Sequence, residues 1–209
     1  MYVVVNAFHW IGYHIIEHLL SKGEKVVGVD TLDSDLKTHL LLSVGRNANF
    51  TFREDIEDVL EEVIHQEQTN VLLIDHSYQT CDYLVKNFPC YFIHTKEITK
   101  KSESMTYIHA PMIYGEWMPR DKSWFYWNDK TILLGSELFH EKGVSIQIFV
   151  LVVMLIMKAR LKPTSIQLES ADKETMNCNK SIIYIIEKRN MDHKLEKLEE
   201  HFQQYHELY

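Results

Sequence analysis

The sequence predicts a doubly wound α/β fold: a mostly parallel sheet with a small C-terminal helical portion packed on it. Two observations predict this class. Short β-branched runs alternate with segments whose apolar residues recur at helical spacing, which is typical of sheets covered by helices on both faces. No glycine/serine-rich linker interrupts the 209 residues, of which 45% are apolar, so we expect one sizeable core.

The first thirty residues predict one β-α-β unit. Tyr2–Asn6 is a β-branched run that fits a strand buried on both faces. Ile11–Ser21 carries apolar residues at helical spacing, and Gly23 follows as a helix stop. Lys25–Val29 predicts a second buried strand that ends at Asp30. This order implies parallel strands joined by a right-handed crossover.

The alternation continues as far as a sixth strand. Helices are predicted over Leu36–Val44, Ile56–Gln66 and Tyr83–Phe88, and strands over Asn49–Phe52, Val71–Ile74, Tyr91–Thr95 and Tyr107–Ile113. The connection between the last two strands is close to the minimum for a parallel crossover, so their assignment stays open.

The rest of the chain is predicted to be mostly helical. Trp117–Lys130 is aromatic and irregular. Helices are predicted over Val144–Ala159, Ser181–Lys188 and Lys194–Tyr209, the last of them strongly polar with one apolar stripe of Leu195, Leu198, Phe202 and Tyr205. Because Val144–Ala159 is apolar almost all round, we expect it to be buried or to form an interface.

Charge and hydropathy exclude several classes of partner. Lys plus Arg number 22 and Asp plus Glu number 30, a net charge of −8, which argues against nucleic acid and against an anionic membrane surface. The longest apolar run, Ile148–Met157, is about half of the roughly twenty residues that a membrane span needs. Cys81, Cys90 and Cys178 lie far apart, and the N-terminus lacks a basic leader, so we expect a reduced, cytoplasmic protein.

Several segments, in order along the chain, carry a resemblance. The opening VVVNAFHWIGYHIIEHLLSKGEKVVGVD follows a pattern of strand, T-G-x-x-G-F-I-G turn, helix, strand and acidic residue. MIYGEWMPRD matches N-V-Y-G-P-x-x-x-P-D, and LEKLEEHFQQYHELY matches a closing helix. In these segments the sequence resembles the NAD-dependent epimerase/dehydratase family, the extended short-chain dehydrogenases that act on nucleotide sugars.

The resemblance implies a Rossmann-like fold, NAD or NADP as cofactor, and a nucleotide or nucleotide-sugar ligand. Residues 1–116 correspond to the dinucleotide-binding-type domain and residues 117–209 to a remnant of the substrate-binding region that is not independent. By position, Asp30 meets a ribose hydroxyl, and Asp55 and Ile56 lie beside the adenine. The matching cofactor-site positions are Ala7, Trp10, Ile11, Gly12, Asp30, Asp55 and Ile56.

The first turn departs from the family pattern at two of its three glycines. Asn6 replaces the first glycine, and Asn tolerates left-handed backbone. His9 replaces the second, and its imidazole needs the space that a phosphate would occupy. Gly12 survives and serves close packing of the helix on the strand. These changes argue against intact NAD binding, while Asp30 argues for it.

The family's chemistry needs a Tyr and a Lys four residues later on one helix, with a Ser or Thr after the fifth strand. Thr95 stands for the Ser or Thr, but Lys96–Ser104 is too short to hold that helix. The pair Tyr126 and Lys130 has the right spacing in the wrong place. We therefore assign no catalytic residue. The missing helix also builds the family's dimer interface, so we expect a different assembly or a monomer.

Three further patterns have structural and functional interpretations. His14, Glu17 and His18 match the H-x-x-E-H metal pattern, but we expect them on a solvated outer helix face, without a metal. Asp75 and His76 replace small residues beside the nicotinamide, and solvent exposure is the simpler interpretation. The aromatic residues either cover the core, which we favour, or stack a ligand or partner: Trp117, Trp124, Phe125, Tyr126 and Trp127.

Together these observations predict a shortened, degenerate epimerase/dehydratase-like protein that lacks the family's redox catalysis and serves as a binding or regulatory module. Two alternatives remain. One is an active NAD(P)-dependent nucleotide-sugar epimerase, dehydratase or reductase with an atypical base. The other is a scaffold or oligomer subunit.

Overall fold

The computed structural model describes residues 1–63, 66, 68–75, 82–98, 101–160, 165–171, 182–186 and 191–209. The strands are β1 Tyr2–Val5, β2 Val26–Val29, β3 Phe50–Arg53, β4 Asn70–Ile74, β5 Cys90–His94, β6 Met105–His109, β7 Ile113–Tyr114, β8 Trp124–Trp127, β9 Lys130–Leu133, β10 Val144–Ser145, β11 Ser165–Ser170 and β12 Ile182–Ile185. The helices are α1 Trp10–Ser21, α2 Asp35–Val44, α3 Glu57–Val63, α4 Asp82–Asn87, α5 Glu137–Lys142, α6 Ile146–Ala159 and α7 Met191–Tyr205, followed by a 3-10 turn at His206–Leu208.

Eight of these strands form one parallel sheet in the order β12-β11-β6-β5-β4-β1-β2-β3. Starting from β1, the chain adds strands β2 and β3 in one direction along the sheet, and then adds β4, β5 and β6 in the opposite direction. Sheets of this kind bind ligands beyond the carboxyl ends of the strands where that direction reverses, here between β1 and β4. The predicted doubly wound α/β fold is confirmed.

Both faces of the sheet are covered, which explains the continuous apolar runs of its central strands. In β1, Val4 belongs to the core under α1 and α6, while Val3 and Val5 belong to the core under α3 and α4. Each face thus receives alternate residues of the same strand, so both sets are apolar in β1.

The short connection between the fifth and sixth strands does join parallel neighbours. Cys90 pairs with Met105 and His94 with His109 in one register along β5 and β6. Neither part of the connection that the structure describes, 95–98 or 101–104, is helical. The predicted sixth strand is too long, because it ends at His109 and Ile113–Tyr114 pairs separately with β10.

Two predictions for the C-terminal region are wrong. Ile182–Ile185 forms β12 in parallel with β11, whereas the sequence predicted a helix there, and Ser181 and residues 187–188 lie outside the described part. The run Ile-Ile-Tyr-Ile suits a strand once a neighbouring strand exists, and no local pattern in the sequence predicts the neighbour, β11. Likewise Trp117–Lys130 contains β8, which pairs antiparallel with β9.

The predicted apolar stripe of the last helix does face the protein. Leu198 is buried, and Leu195 and Tyr205 pack against the main core. None of the helices in the described residues combines the length and apolarity that crossing a membrane would require.

Tyr209 anchors the end of the chain against the segment that follows β7. Its hydroxyl accepts a hydrogen bond from the backbone N–H of Trp117 at 2.9 Å and lies 2.7 Å from Nδ1 of His201. Burial raises the pKa of Tyr209 to about 12 and lowers the pKa of His201 to about 4, so both groups are neutral at pH 7.

Replacing Tyr209 with phenylalanine should therefore lower the free energy of unfolding by about 1–2 kcal/mol, because the N–H of Trp117 loses its partner in a mostly buried place. Tyr205→Phe is the matched control, since its hydroxyl accepts from the side chain of exposed Gln204. Urea unfolding of both variants measures the difference. Equal losses would contradict an anchoring role for the Tyr209 hydroxyl.

Candidate functional site

The turn after β1 is built by the residues that replace the expected glycines. Asn6 adopts left-handed backbone, with φ of 60°, and its side-chain amide donates to the carbonyl of Ile74 at 2.9 Å. Gly12 lies so close that a Cβ there would stand 2.7 Å from the Asn6 carbonyl oxygen and 2.9 Å from that of Ala7. The predicted roles of Asn6 in the turn and of Gly12 in packing are both confirmed.

Asp30, at the end of β2, is buried and holds the turn from the side. Its carboxylate accepts from the N–H of Phe8 at 2.7 Å, the N–H of Thr31 at 2.8 Å and Nζ of Lys37 at 2.9 Å. A carboxylate has about four acceptor positions, so three bonds leave one for a ligand. Asp30 is therefore both a structural residue of the turn and a candidate acceptor for a hydroxyl.

A cavity of about 660 Å³ opens beside Asp30 at the carboxyl ends of β1, β2 and β3, and we call it the first cavity. It brings together three predicted site residues, Asp30, Asp55 and Ile56. Its lining residues are Val5, Asn6, Val29, Asp30, Thr31, Lys37, Glu54, Asp55, Ile56 and Glu57. The remaining predicted residues lie elsewhere: Ala7, Ile11 and Gly12 are buried in the turn and helix, and Trp10 lines a different cavity.

The second cavity, of about 390 Å³, lies at the ends of β4 and β5 under the β8–β9 hairpin. Asp75 is exposed, as expected, and its carboxylate also accepts from the N–H and the hydroxyl of Thr95, both at 2.9 Å. The Thr95 carbonyl accepts from the amide of Asn128 at 2.7 Å. The N–H, the hydroxyl and the carbonyl of Thr95 are thus all hydrogen-bonded. His76 lies outside the described residues.

His9 immediately precedes α1 and lines the second cavity. It interacts electrostatically with Asp75, which also lines the second cavity, and with Asp30 and Lys37, which line the first. Its Nδ1 is buried with no hydrogen-bond partner among the described residues, and its side chain does not cap the helix. Burial lowers the pKa of His9, although Asp75 and Asp30 oppose that shift, so the ring is neutral at pH 7.

Tyr126 and Lys130 lie in the β8–β9 hairpin and are both exposed. The hydroxyl of Tyr126 donates to Asp121 at 3.1 Å, and this bond, with the charge of Asp121, raises the pKa of Tyr126. A tyrosine that acts as a base needs the opposite shift. The pair therefore has neither the helix nor the electrostatics of the family's Tyr and Lys.

Only part of the H-x-x-E-H pattern lies on a solvated face as predicted, since Glu17 is exposed and His18 is half-buried. His14 is buried, with Nε2 at 3.1 Å from the Glu116 carbonyl and Nδ1 at 3.2 Å from the carboxylate of Glu17. In the part of the chain that the structure describes, no group of three or more His, Cys, Asp or Glu side chains is placed to hold a metal ion.

The aromatic cluster divides according to strand alternation. Phe125 and Trp117 are buried, whereas Trp124 and Tyr126 have two fifths or more of their surface exposed, at 41% and 48%. The expectation of a core lid is thus confirmed for Phe125 and Trp117 and in part for Trp127, which is half-buried and packs against the main core.

Sequence reasoning missed Lys37 and Asn128 as site residues. Lys37 had one local signal, its position four residues after Asp33, with which it also forms an ion pair. Asn128 had none, because the hairpin that carries it reaches Thr95 only through the tertiary fold.

No protein-family model matches the chain, and no curated protein is similar to it. Solved structures do match. The dTDP-glucose 4,6-dehydratase of Bacillus anthracis, in complex with NAD, has a TM-score of 0.64 at 10% identity, covering 100% of this chain and 98% of that one. The yeast methylglyoxal/isovaleraldehyde reductase, complexed with NADPH, has a TM-score of 0.59 at 10% identity, covering 99% and 100%.

The UDP-glucose 4-epimerase of Thermotoga maritima, with UDP-glucose, has a TM-score of 0.54 at 15% identity, covering 92% of this chain and 87% of that one. Similarity at this level of identity establishes architecture. The chain therefore has the Rossmann-like α/β fold of these dehydratase, epimerase and reductase structures, as its resemblance to the epimerase/dehydratase family implied.

Proposed function

We propose that this protein is a binding or regulatory module that holds the nucleoside part of a nucleotide-type ligand in the first cavity, without the family's hydride transfer. One observation carries the proposal: Asp30, with an acceptor position left over, shares a single cavity with Asp55 and Ile56 at the carboxyl ends of β1, β2 and β3. Ligands of doubly wound folds bind beyond the carboxyl ends of the strands.

The three neighbouring structures support the ligand class, since they contain NAD, NADPH and UDP-glucose, each of which carries a nucleoside. The second cavity supports the loss of hydride transfer. Its threonine hydroxyl is held by Asp75, and its tyrosine, Tyr126, is bonded to Asp121. Neither residue is set up to take a proton from a substrate hydroxyl at neutral pH.

The second candidate function is an NAD(P)-dependent enzyme that acts on a nucleotide sugar with an atypical base. The presence of a neutral imidazole, that of His9, in the second cavity favours it. NAD(P)-dependent turnover of nucleotide sugars, followed by absorbance of the reduced cofactor, decides between the two. Robust turnover would replace the binding-module proposal with this one.

The binding proposal is tested by filling the first cavity. Thr31 lines this cavity and is exposed, so Thr31→Trp should be tolerated and should weaken binding of adenosine-containing ligands at least about tenfold. Calorimetry with adenosine, AMP, ADP-ribose, NAD and NADP provides the measurement.

Thr38→Trp is the matched control, since Thr38 is exposed on α2 and does not line the cavity. If both tryptophan variants bind these ligands as the unchanged protein does, the first cavity is not the binding site. If no ligand in the set binds the unchanged protein at millimolar concentration, the proposal fails outright.

We also propose a cytoplasmic location, on the three scattered cysteines, and an assembly other than the family's dimer, on the short β5–β6 connection. Light scattering that shows a stable dimer built at this side of the sheet would count against the second point.

A further inference from the structure

We propose that the first cavity selects a nucleoside without phosphate groups and discriminates against nucleoside phosphates and dinucleotides. The inference rests on the proposed function and names its ligand class more narrowly. It is carried by the charges that line the cavity and by the side chain at the start of α1.

The lining of the first cavity is strongly acidic. It contains four carboxylates, those of Asp30, Glu54, Asp55 and Glu57, and one ammonium among the described lining residues, so the sum is −4 + 1 = −3. Like charges at the distances across a small cavity repel one another with appreciable energy. A phosphate placed there would add negative charge to an already negative surface.

The one ammonium does not relieve this repulsion. Nζ of Lys37 lies 2.9 Å from the carboxylate of Asp30 and 3.1 Å from that of Asp33, and it donates to the Thr31 carbonyl at 3.2 Å. Lys37 is therefore committed to two carboxylates and a carbonyl. A phosphate would have to compete with both anions for it.

The other usual source of attraction for phosphate, the N-terminus of the helix after the first strand, is also blocked. The residue there is His9, whose ring interacts electrostatically with Asp30, Lys37 and Asp75 and packs beside Trp10, with ring centres 6.2 Å apart. Because the ring is neutral, it takes up space without supplying positive charge. A diphosphate crossing from the first cavity to the second has to displace it.

A neutral nucleoside avoids both obstacles and uses what the cavity does offer. Asp30 keeps one acceptor position for a ribose hydroxyl, and Val5, Val29 and Ile56 provide apolar surface for a base. Removing the phosphate therefore removes the repulsion from the four lining carboxylates.

Calorimetry on the whole chain with adenosine, AMP and NAD tests the inference. We expect adenosine to bind about tenfold or more tightly than AMP, and NAD to bind more weakly than AMP. High salt should narrow the gap between adenosine and AMP, because screening weakens charge repulsion. Tighter binding of AMP or NAD than of adenosine overturns this inference alone, whereas absence of binding by all three overturns the proposed function with it.

Charge variants identify the cause. The double variant Glu54→Gln and Glu57→Gln changes two exposed carboxylates of the lining and should raise the affinity of AMP relative to adenosine about tenfold. Asp58→Asn, an exposed carboxylate of α3 that does not line the cavity, should leave this ratio unchanged. An equal ratio in both proteins would show that the lining carboxylates do not discriminate against phosphate.

A second variant tests the ring itself. Glycine is tolerated at the N-cap position, which His9 occupies, almost as well as a capping side chain, so His9→Gly should fold. It should raise the affinity of NAD relative to adenosine about tenfold, because the route between the cavities opens. No change in that ratio would contradict the blocking role of the imidazole.

Discussion

Replacing Gly12 with alanine should lower the free energy of unfolding by about 3 kcal/mol. The added Cβ would stand 2.7 Å and 2.9 Å from the carbonyl oxygens of Asn6 and Ala7, which is closer than such atoms approach in proteins. Both are backbone atoms of a turn tied to its surroundings, since the Ala7 N–H donates to Val29 and the Asn6 carbonyl accepts from His9. The backbone of the turn cannot move away from the added Cβ without losing these hydrogen bonds. We therefore expect the loss of stability to lie at the upper end of the range for overpacking.

Gly23→Ala is the control for this experiment. Gly23 has positive φ, at 75°, but a Cβ there would meet nothing within 4 Å, so alanine adds backbone strain of about 1 kcal/mol without a clash. Denaturant unfolding of the two variants separates crowding from strain. Losses of equal size would contradict the close approach of α1 to the first turn.

Replacing Arg120 with methionine should cost about 3 kcal/mol, because one buried guanidinium joins the segment after β7 to α7. It donates to the carbonyls of Asp121, Lys122 and Leu198 and to the carboxylate of Glu199, at 2.9–3.2 Å. Its side chain is only 1% exposed. Methionine fills similar space but removes all four of these donated hydrogen bonds.

Arg46→Met is the matched control, since Arg46 is exposed, and we expect a change within about 0.5 kcal/mol. Arg120→Lys should recover little, because a lysine cannot present several N–H groups in the fixed plane that these acceptors require. Urea unfolding of the three variants gives the comparison. A loss in Arg120→Met no greater than in Arg46→Met would mean that α7 docks by its apolar stripe alone.

The residues around the first turn show how far local sequence reasoning reaches. Asn6 and Gly12 lie within one β-α-β unit, and their roles in the turn follow from backbone preference and from lack of a side chain. Each of these properties belongs to a residue and its near neighbours. They could therefore be predicted before any distant part of the chain was placed.

The burial of His14 and the hydrogen bonds of Thr95 could not be predicted from local sequence. His14 is buried because α6, more than a hundred residues later, covers α1. The hydroxyl of Thr95 is engaged because Asp75 at the end of the neighbouring strand turns towards it. The residues next to His14 and Thr95 in the sequence do not specify which distant segment will contact them in the fold.

The sequence by itself determined the doubly wound class and the first turn, because hydrophobic periodicity and turn chemistry act over a few residues. Only the tertiary structure decided that β12 is a strand, that four carboxylates line the first cavity and that His9 lines the second. Strand pairing, burial and the summed field of charges depend on segments that meet only after folding.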